Sequence, residues 1–402
     1  MLSGRHILLG VSGGIAAYKI PELVRLYRKA GAEVRVTTTR NALQFVTETT
    51  LRTLSGNPVY SDVFAPVNEH STEHISLPDW ADILVVAPAT ANLIGKAAAG
   101  IADDALTTTL AATIARKPLL IAPAMNDKMY DNPATRDAMR RLASWGVTVL
   151  DCADGFLACG TEGKGRMQEP AAILEATKAA LTPQTMRGKR VLLTAGPTRE
   201  KLDPVRYLTN YSSGKMGYAI ARACLRRGAE VVLVTGPVSQ LIEPVYAGRL
   251  QLVSVESAAQ MADAAVAEWG RADMAVLSAA VADFTPLEVS ATKRKKQQGQ
   301  TGMTLQLTTT QDIAAALGAS KRNGQLLVGF ALETDNEHEN ALKKLRSKNL
   351  DLIALNSLKD SGAGFGVDTN VITLITARGA ETKLPLLTKE AAADAILAAC
   401  GF

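Results

Sequence analysis

The sequence predicts an α/β protein made of two doubly wound, largely parallel-sheet domains of Rossmann-like type. Three observations carry that prediction. Short runs of Leu, Ile and Val, such as ILVVAPA and LLIAPAM, alternate with longer segments of helical periodicity, the pattern of βαβ units whose strands are buried on both faces. The chain opens the same unit twice: GRHILLGVSGG leads to KAGAEVRVTTT, and far downstream GKRVLLTAGPT leads to RRGAEVVLVTG. Between the halves, LTPQTMRGK (Leu181 to Lys189) is polar, holds Pro183 and Gly188, and interrupts both periodic patterns. The expected domains are residues 1–181 and 190–402, with a linker over 182–189.

With 402 residues, 47% hydrophobic and 21% charged, each half is long enough to bury a core. No apolar run approaches the roughly 18 residues that span a bilayer, and the N-terminus lacks a small-residue cleavage site, so a cytoplasmic protein without a membrane anchor is expected. Four cysteines (Cys152, Cys159, Cys224, Cys400) with no C-x-x-C pair, and only four histidines, argue against a disulfide framework and a zinc site. Net charge +5 suits anionic small ligands as well as nucleic acid. The basic run TKRKKQQ has no interleaved aromatics, which argues against nucleic acid.

In chain order, the strand HILL enters GVSGGIAAYK, residues 10 to 19. This turn has neither the G-x-G-x-x-G spacing nor that of a Walker A loop. Ser12, Gly13 and Gly14 can offer backbone N–H groups to an anion at a helix start, although a Gly-rich turn with no ligand remains open from these residues alone. In the helix that follows, Ile20, Leu23, Val24 and Tyr27 fall on one face, and Pro21 is expected past the first turn, kinking it. The second strand ends in Thr37, Thr38, Thr39 and Arg40 where a dinucleotide fold places an acid for ribose hydroxyls. Hydroxyls and a cation suit a phosphate better. The strands ADILVVAPAT and KPLLIAPAMN end in small or polar residues, where doubly wound sheets bind ligands.

In order and spacing, GVSGGIAAYK, APATANLIGKAAAGIADD, PAMNDKMY and ACGTEGKGRM resemble the FMN-dependent cysteine decarboxylase family. The resemblance implies a flavodoxin-like domain. It places FMN phosphate on Ser12, Gly13, Gly14 and Thr39, with the ring system near Phe45 and Ala89, Thr90, Ala91 and Asn92. Removing carbon dioxide from a cysteine directly would leave an unstabilised carbanion, so an electron sink is required. In that family, oxidation of the thiol to a thioaldehyde provides it. The resemblance further implies His74 as base, Asn126 as holder of the substrate carboxylate beside Met125, and Cys159 as proton donor. Taken singly, a loop histidine at the surface, an asparagine capping a helix and a buried inert thiol remain open for these three.

In the second half, GPTREKLDPVRYLTNYSSGKMG inserts about twenty residues between a strand and its helix, and a loop of that length is usually functional. SSGKMG is a Gly-rich helix entry, and TKRKKQQ gathers Lys293, Arg294, Lys295 and Lys296. This half resembles the phosphopantothenate–cysteine ligase of coenzyme A synthesis, and the whole chain the bifunctional bacterial decarboxylase–ligase family. The implied substrates are 4'-phosphopantothenate, L-cysteine and CTP with Mg2+, coupled through an acyl-cytidylate. Arg206, Asn210, Ser212, Gly214 and Lys215 match the phosphopantothenate and acyl-phosphate contacts, Asn210 as the group that polarises the acyl carbonyl. Ala279, Asp283 and Lys293 match the cytidine and triphosphate contacts, with Phe330 and Lys343 in the same pocket. Trimers of the flavin domain and dimers of the ligase domain are implied as well. One departure stands out: where the family has Lys-Asn-Pro-Asp-Ile, this chain reads Thr-Thr-Gln-Asp-Ile, keeping only Asp312 and Ile313 of the set. Two rivals share the first half's fold, a flavin-binding regulatory protein and a flavin prenyltransferase. The former has no need of His74, Asn126 and Cys159, and the latter none of the second half.

Overall fold

The computed structural model describes residues 2–64, 72–156, 160, 162–296, 298, 301–333, 335–357, 364 and 366–402. The chain separates into two compact units, Met1–Thr182 with Glu243–Val245, and Pro183–Ile242 with Tyr246–Phe402.

In the first unit, β1 (His6–Val11), β2 (Glu33–Thr38), β3 (Val59–Tyr60), β4 (Ile83–Ala89), β5 (Leu119–Pro123) and β6 (Thr148–Val149) form one sheet in the order β3-β2-β1-β4-β5-β6, all parallel. With all six strands the order is 3-2-1-4-5-6, that of a doubly wound Rossmann-like sheet. Every residue of β4 and β5 is buried, because helices cover both faces. Leu9, Val11 and Val85 pack on one side with Leu23, Val24 and Tyr27 of α1 (Ile20–Lys29). On the other side, Leu8, Leu84 and Val86 meet Leu106 and Leu110, the period-2 alternation of a strand.

Pro21 does not kink its helix. Residues Ile15–Lys19 form a 3-10 turn, and α1 starts at Ile20, so Pro21 falls in the first turn, where no intrahelical N–H is required. The chain continues through α2 (Glu48–Ser55), α3 (Glu73–Trp80), α4 (Ala91–Ala99), α5 (Ala105–Thr113), α6 (Asp127–Tyr130), α7 (Pro133–Ser144) and α8 (Pro170–Ala180). Ahead of α8, β7 (Ala153–Phe156) and β8 (Glu162–Arg166) form an antiparallel hairpin. β8 lies against the segment after β5, with the Met125 N–H donating to the Gly165 carbonyl at 3.0 Å.

In the second unit, β9 (Arg190–Ala195), β12 (Glu230–Thr235), β13 (Leu250–Ser254), β14 (Met274–Leu277), β17 (Leu326–Glu333) and β18 (Leu352–Ser357) are parallel. β20 (Ile372–Thr376) and β21 (Glu381–Lys383) extend the sheet antiparallel, in the order β13-β12-β9-β14-β17-β18-β20-β21. Short antiparallel pairs stand outside it: β10 (Glu200–Lys201) with β11 (Tyr207–Leu208), β15 (Phe284–Pro286) with β16 (Leu307–Thr309), and β19 (Thr369–Asn370) with β22 (Leu387–Thr388). The helices are α9 (Lys215–Arg226), α10 (Ala258–Trp269), α11 (Ile313–Ala319), α12 (Glu337–Ser347) and α13 (Lys389–Ala399). The segment expected as linker is anchored within this unit. Met186 is fully buried with its N–H on the Arg227 carbonyl, and the Gln184 amide donates to the Arg226 carbonyl at 2.8 Å. Among the described residues, no helix is long and apolar enough to cross a membrane.

The hairpin's seat on the first unit is narrow. A Cβ at Gly165 would lie 2.2 Å from the Met125 carbonyl oxygen, a backbone atom that cannot rotate aside. Gly165→Ala is expected to lift β8 and cost about 1–3 kcal/mol, as overpacking does. A lower thermal midpoint together with faster proteolysis within residues 153–166 checks it.

Candidate active sites

A cavity of about 920 Å3 opens in the first unit at the carboxyl ends of β1, β2, β4 and β5. This is the switch point, where β1 leads on one side to β2 and on the other to β4, so neighbouring connections diverge and leave a crevice. Of the expected residues, Ser12, Gly13, Gly14, Thr39, Thr90, Ala91, Asn92, Met125 and Asn126 line it.

Their polar groups are not equally available. The Ser12 hydroxyl donates to the Pro88 carbonyl at 2.7 Å and accepts the Thr90 N–H at 3.0 Å, and the Ser12 N–H also goes to Pro88. Ser12 therefore clasps β1 to the end of β4, which corrects its expected role as an N–H donor for an anion. The Gly14 N–H is also occupied, by the Ser12 carbonyl. Only the Gly13 N–H of the three has no partner among the described residues. The Thr39 hydroxyl is buried with no hydrogen-bond partner among them. It sits at the N-cap of the 3-10 turn Arg40–Gln44 yet makes no capping bond. A Cβ on Gly13 would lie 2.5 Å from the Cβ of Asn41, so only glycine lets the turn after β1 approach the turn after β2.

Asn126 caps α6: its side-chain oxygen accepts the Lys128 N–H at 2.9 Å, which orients the amide at the cavity edge. Lys19, nearly buried, donates to Glu169 at 2.6 Å, and Arg166 from β8 approaches the same carboxylate at 3.3 Å. Lys96 pairs with Asp103 at 2.7 Å. Asp104 lines the cavity while capping α5.

Three expected residues do not line this cavity. Ala89 is fully buried in the core behind the wall. The 3-10 turn brings its first residues, Arg40 and Asn41, to the cavity, whereas Phe45 follows at the far end and is half exposed. The aromatics that do line it are Tyr18 and Phe156. His74 lies half-buried on α3, which packs against α5 rather than over the strand ends. Cys159 lies outside the described residues. The nearby Cys152 thiol is buried, and burial pushes it up to about 12, an unreactive value.

In the second unit the inserted loop is tied to the corresponding switch point, between β9 and β14. Asn210 donates its amide to the Ala280 carbonyl at 2.6 Å and accepts the Ser212 N–H at 3.0 Å. The Ser212 hydroxyl accepts the Gly214 N–H at 3.4 Å, and Gly214, in the left-handed region, starts α9. Lys215 is engaged: it pairs with Asp368 at 2.6 Å and donates to the Gly366 carbonyl at 2.7 Å. Arg206 binds Asp203 at 2.6 and 3.1 Å. The buried Asp203 also accepts N–H groups from Val205, Arg206 and Arg294, so this one carboxylate fastens the hairpin to the basic segment. Ala279 follows β14, its N–H on the Thr194 hydroxyl at 3.4 Å. Asp283, Lys293 and Lys343 are exposed, with no side-chain partner among the described residues. Phe330 is half-buried in β17. A cavity of about 420 Å3 beside α10 is lined by Arg199, Lys201, Gln260 and Thr309 among others, and by none of the expected residues. Asp312, the acid kept in the departing segment, caps α11 through the Ala315 N–H and pairs with Lys348 at 2.9 Å.

The family models match both halves: Flavoprotein over residues 1–182, and the DNA/pantothenate metabolism flavoprotein C-terminal domain over 186–400. The coenzyme A biosynthesis bifunctional protein CoaBC of Bacillus subtilis is 48% identical, over 97% of this chain and 95% of that one. A cysteine/cysteine sulfinic acid decarboxylase from an unknown prokaryotic organism is also 48% identical, over 87% of this chain and 98% of that one. A solved C-terminal domain of a CoaBC protein is 41% identical, over 54% of this chain and 96% of that one, with a TM-score of 0.45. The chain belongs to the CoaBC family of bifunctional coenzyme A biosynthesis proteins. It is thus an enzyme with a flavoprotein decarboxylase half and a ligase half.

For a CoaBC protein, several lining residues carried sequence signals that went unused. Tyr18 and Lys19 lie inside GVSGGIAAYK, and Arg166 inside ACGTEGKGRM. Asp203 lies inside the long insertion, in LDPVRY, a turn-forming acid before a cation. Asn41 had no signal, because its role is a backbone approach.

Asp203 yields a pH-dependent expectation. The Arg206 guanidinium, helped by three backbone N–H groups, holds its carboxyl well below the ordinary 3.8. A depressed folded-state pKa contributes stability above the unfolded value, and that contribution is lost as pH falls through the folded value. Asp203→Asn is expected to lower the thermal midpoint at pH 7, and the difference from wild type to shrink as pH drops below 3.8. Melting curves of both proteins across acid pH check it.

Proposed function

We propose that this CoaBC protein makes 4'-phosphopantetheine in two steps, in the cytoplasm and as a homo-oligomer. In residues 190–402, CTP activates 4'-phosphopantothenate as an acyl-cytidylate with release of pyrophosphate, and L-cysteine then displaces CMP to give 4'-phosphopantothenoylcysteine. In residues 1–181, that product loses carbon dioxide. One observation carries the decarboxylase assignment: a cofactor-sized cavity at a sheet switch point is lined by Thr39, whose buried hydroxyl has no partner among the described residues, and by Gly13, whose N–H has none either.

These residues fit FMN. Gly13 and Thr39 would hold its phosphate, and Gly14, Thr90, Ala91, Asn92 and Met125 would line the rest. When bound, the flavin supplies the electron sink that cysteine decarboxylation requires. Asn126, fixed by its cap, orients the substrate carboxylate through its amide, a neutral donor that binds the anion without a tight ion pair. His74 takes the base role and Cys159 donates the final proton. Because His74 does not line the cavity of its own unit, we assign it to the cavity of a neighbouring copy within a trimer of flavin domains.

In the ligase half, which dimerises, a carboxylate is a poor electrophile until it carries a phosphoryl leaving group. The exposed Lys293 and Lys343 would meet the triphosphate, with Mg2+ bound chiefly by phosphate oxygens and water. Arg206, Ser212, Gly214 and Lys215 would face the phosphopantothenate and acyl phosphate, and Asp283, Ala279 and Phe330 the cytidine. Asn210 retains one amide hydrogen beyond its bond to Ala280, enough to polarise the acyl carbonyl.

Mass spectrometry after supplying 4'-phosphopantothenate, L-cysteine, CTP and Mg2+ tests the sequence of steps. Expected are 4'-phosphopantetheine, with pyrophosphate, CMP and carbon dioxide in equal amounts, and no turnover of free cysteine to cysteamine. Cysteamine as the sole decarboxylated product would overturn the substrate assignment. The placement of His74 has its own test. His74→Asn and Asn126→Asp should each lack decarboxylase activity, and co-expressing them should restore it, since mixed trimers contain cavities with both native residues. Mixed oligomers that stay inactive would return His74 to its own unit or remove it from the reaction.

A further inference from the structure

The cations around the first cavity are of two kinds. Lys19 and Arg166 share Glu169, and Lys96 holds Asp103, so each of these has a carboxylate partner. Arg40 lines the same cavity, is exposed, and has no hydrogen-bond or ion-pair partner among the described residues. It directly follows Thr39, whose buried hydroxyl also lacks one. It precedes Asn41, the residue whose Cβ lies where a side chain on Gly13 would begin. A guanidinium, a buried hydroxyl and an N–H without partners among the described residues therefore belong to three residues that line one cavity from two adjoining turns.

This donor set has a chemical preference. A neutral ligand group would leave the guanidinium uncompensated, and a carboxylate has two oxygens for three kinds of donor. A phosphate monoester offers three oxygens and close to two negative charges, and a guanidinium fork can grip two of them at once. We propose that Arg40 is the cation of a phosphate-monoester seat built with Thr39 and Gly13, and that it makes the cavity select a phosphorylated ligand over its dephosphorylated counterpart. The inference deepens the decarboxylase assignment and rests on it. Two ligands of that reaction carry a phosphate monoester, FMN and the phosphopantothenoyl substrate. Thr39 and Gly13 are assigned above to FMN, so the flavin arm of the test is the one expected to respond.

The test uses the full chain stripped of flavin and titrated with FMN and with riboflavin, following the quenching of flavin fluorescence. Losing a charge-assisted contact should lower the preference of Arg40→Gln for FMN over riboflavin about tenfold or more, leaving riboflavin affinity unchanged. Arg40→Lys should keep part of the preference, as a point charge without the fork. The second arm compares KM for phosphopantothenoylcysteine and pantothenoylcysteine with FMN saturating. A change confined to that arm would support the seat and assign it to the substrate's phosphate. Unchanged ratios in both arms would overturn the inference. So would an equal loss in Lys96→Gln, which removes a charge from the same wall without touching the seat. Wild-type apoprotein that takes up no flavin would instead sink the flavoprotein reading itself, and the inference with it.

Discussion

The first site depends on a contact that exists because a side chain is missing. The turn after β1 and the turn after β2 come together at Gly13 and Asn41, with room for a hydrogen and none for a methyl group. Parallel strands in register set the spacing of these turns, since β1 pairs with β2 on one side and β4 on the other. The backbone of the β1 turn can then contribute a donor to a crevice already fixed by the sheet. Ser12 completes the frame from the opposite side, its hydroxyl closing the ends of β1 and β4. The clasp occupies the polar groups of Ser12, while the Gly13 N–H and the Thr39 hydroxyl, on residues that line the cavity, have no partner among the described residues. A ligand group placed there meets donors held by the sheet rather than by a flexible loop, so little ordering is left for binding to impose.

The second unit closes its switch point with backbone and side-chain bonds together. Its switch point is closed by the Ser278 hydroxyl on the Thr194 carbonyl and by a bridge between Pro197 and Ala280. The long insertion is then drawn onto that closure by the Asn210 amide and fastened further along by Asp203. The two halves share a topology and open on similar sequences, yet differ in what their loops are anchored to. Both halves use close approach at a glycine, Gly13 against Asn41 in the first and Gly236 against the Pro197 carbonyl in the second. In the second, polar side chains also fasten the inserted loop, and each is a position where one substitution can release it.

Much of the fold was legible because a parallel sheet writes itself as repeated apolar runs, and because repeating an opening motif marks two units. Pro21 reads as lying past the first turn because Ile15–Lys19 have helical composition, but those five residues form a 3-10 turn, which shifts the start of α1 to Ile20. The cavity was legible where its residues belong to strand ends, as with Thr39, Thr90 and Asn126. It was not legible in three respects. Hydrogen-bond occupancy cannot be read from residue type, so Ser12 looked like a ligand donor when it is a clasp. Distance across a turn cannot be read from spacing, so Phe45 looked as close as Arg40. Assembly cannot be read from a single chain, which is why His74, absent from its own cavity, is assigned to a neighbour's.

Occupancy also separates the cations of the two units in a way that their number does not. Lys19, Lys96 and Arg166 in the first unit, and Arg206 and Lys215 in the second, are drawn toward carboxylates or carbonyls. An anionic ligand meeting one of them has to compete with a partner already in place, so such residues shape a site more than they attract to it. Arg40 in the first unit, and Lys293 and Lys343 in the second, have no such partner among the described residues. A free cation at a rim raises the local concentration of an anion before any close contact forms, and its influence weakens as salt screens it. Each half of the chain therefore combines a framework of paired charges, which keeps its turns in place, with a few cations that have no partner among the described residues. Sequence composition counts both kinds alike, and only the hydrogen-bonding geometry tells them apart.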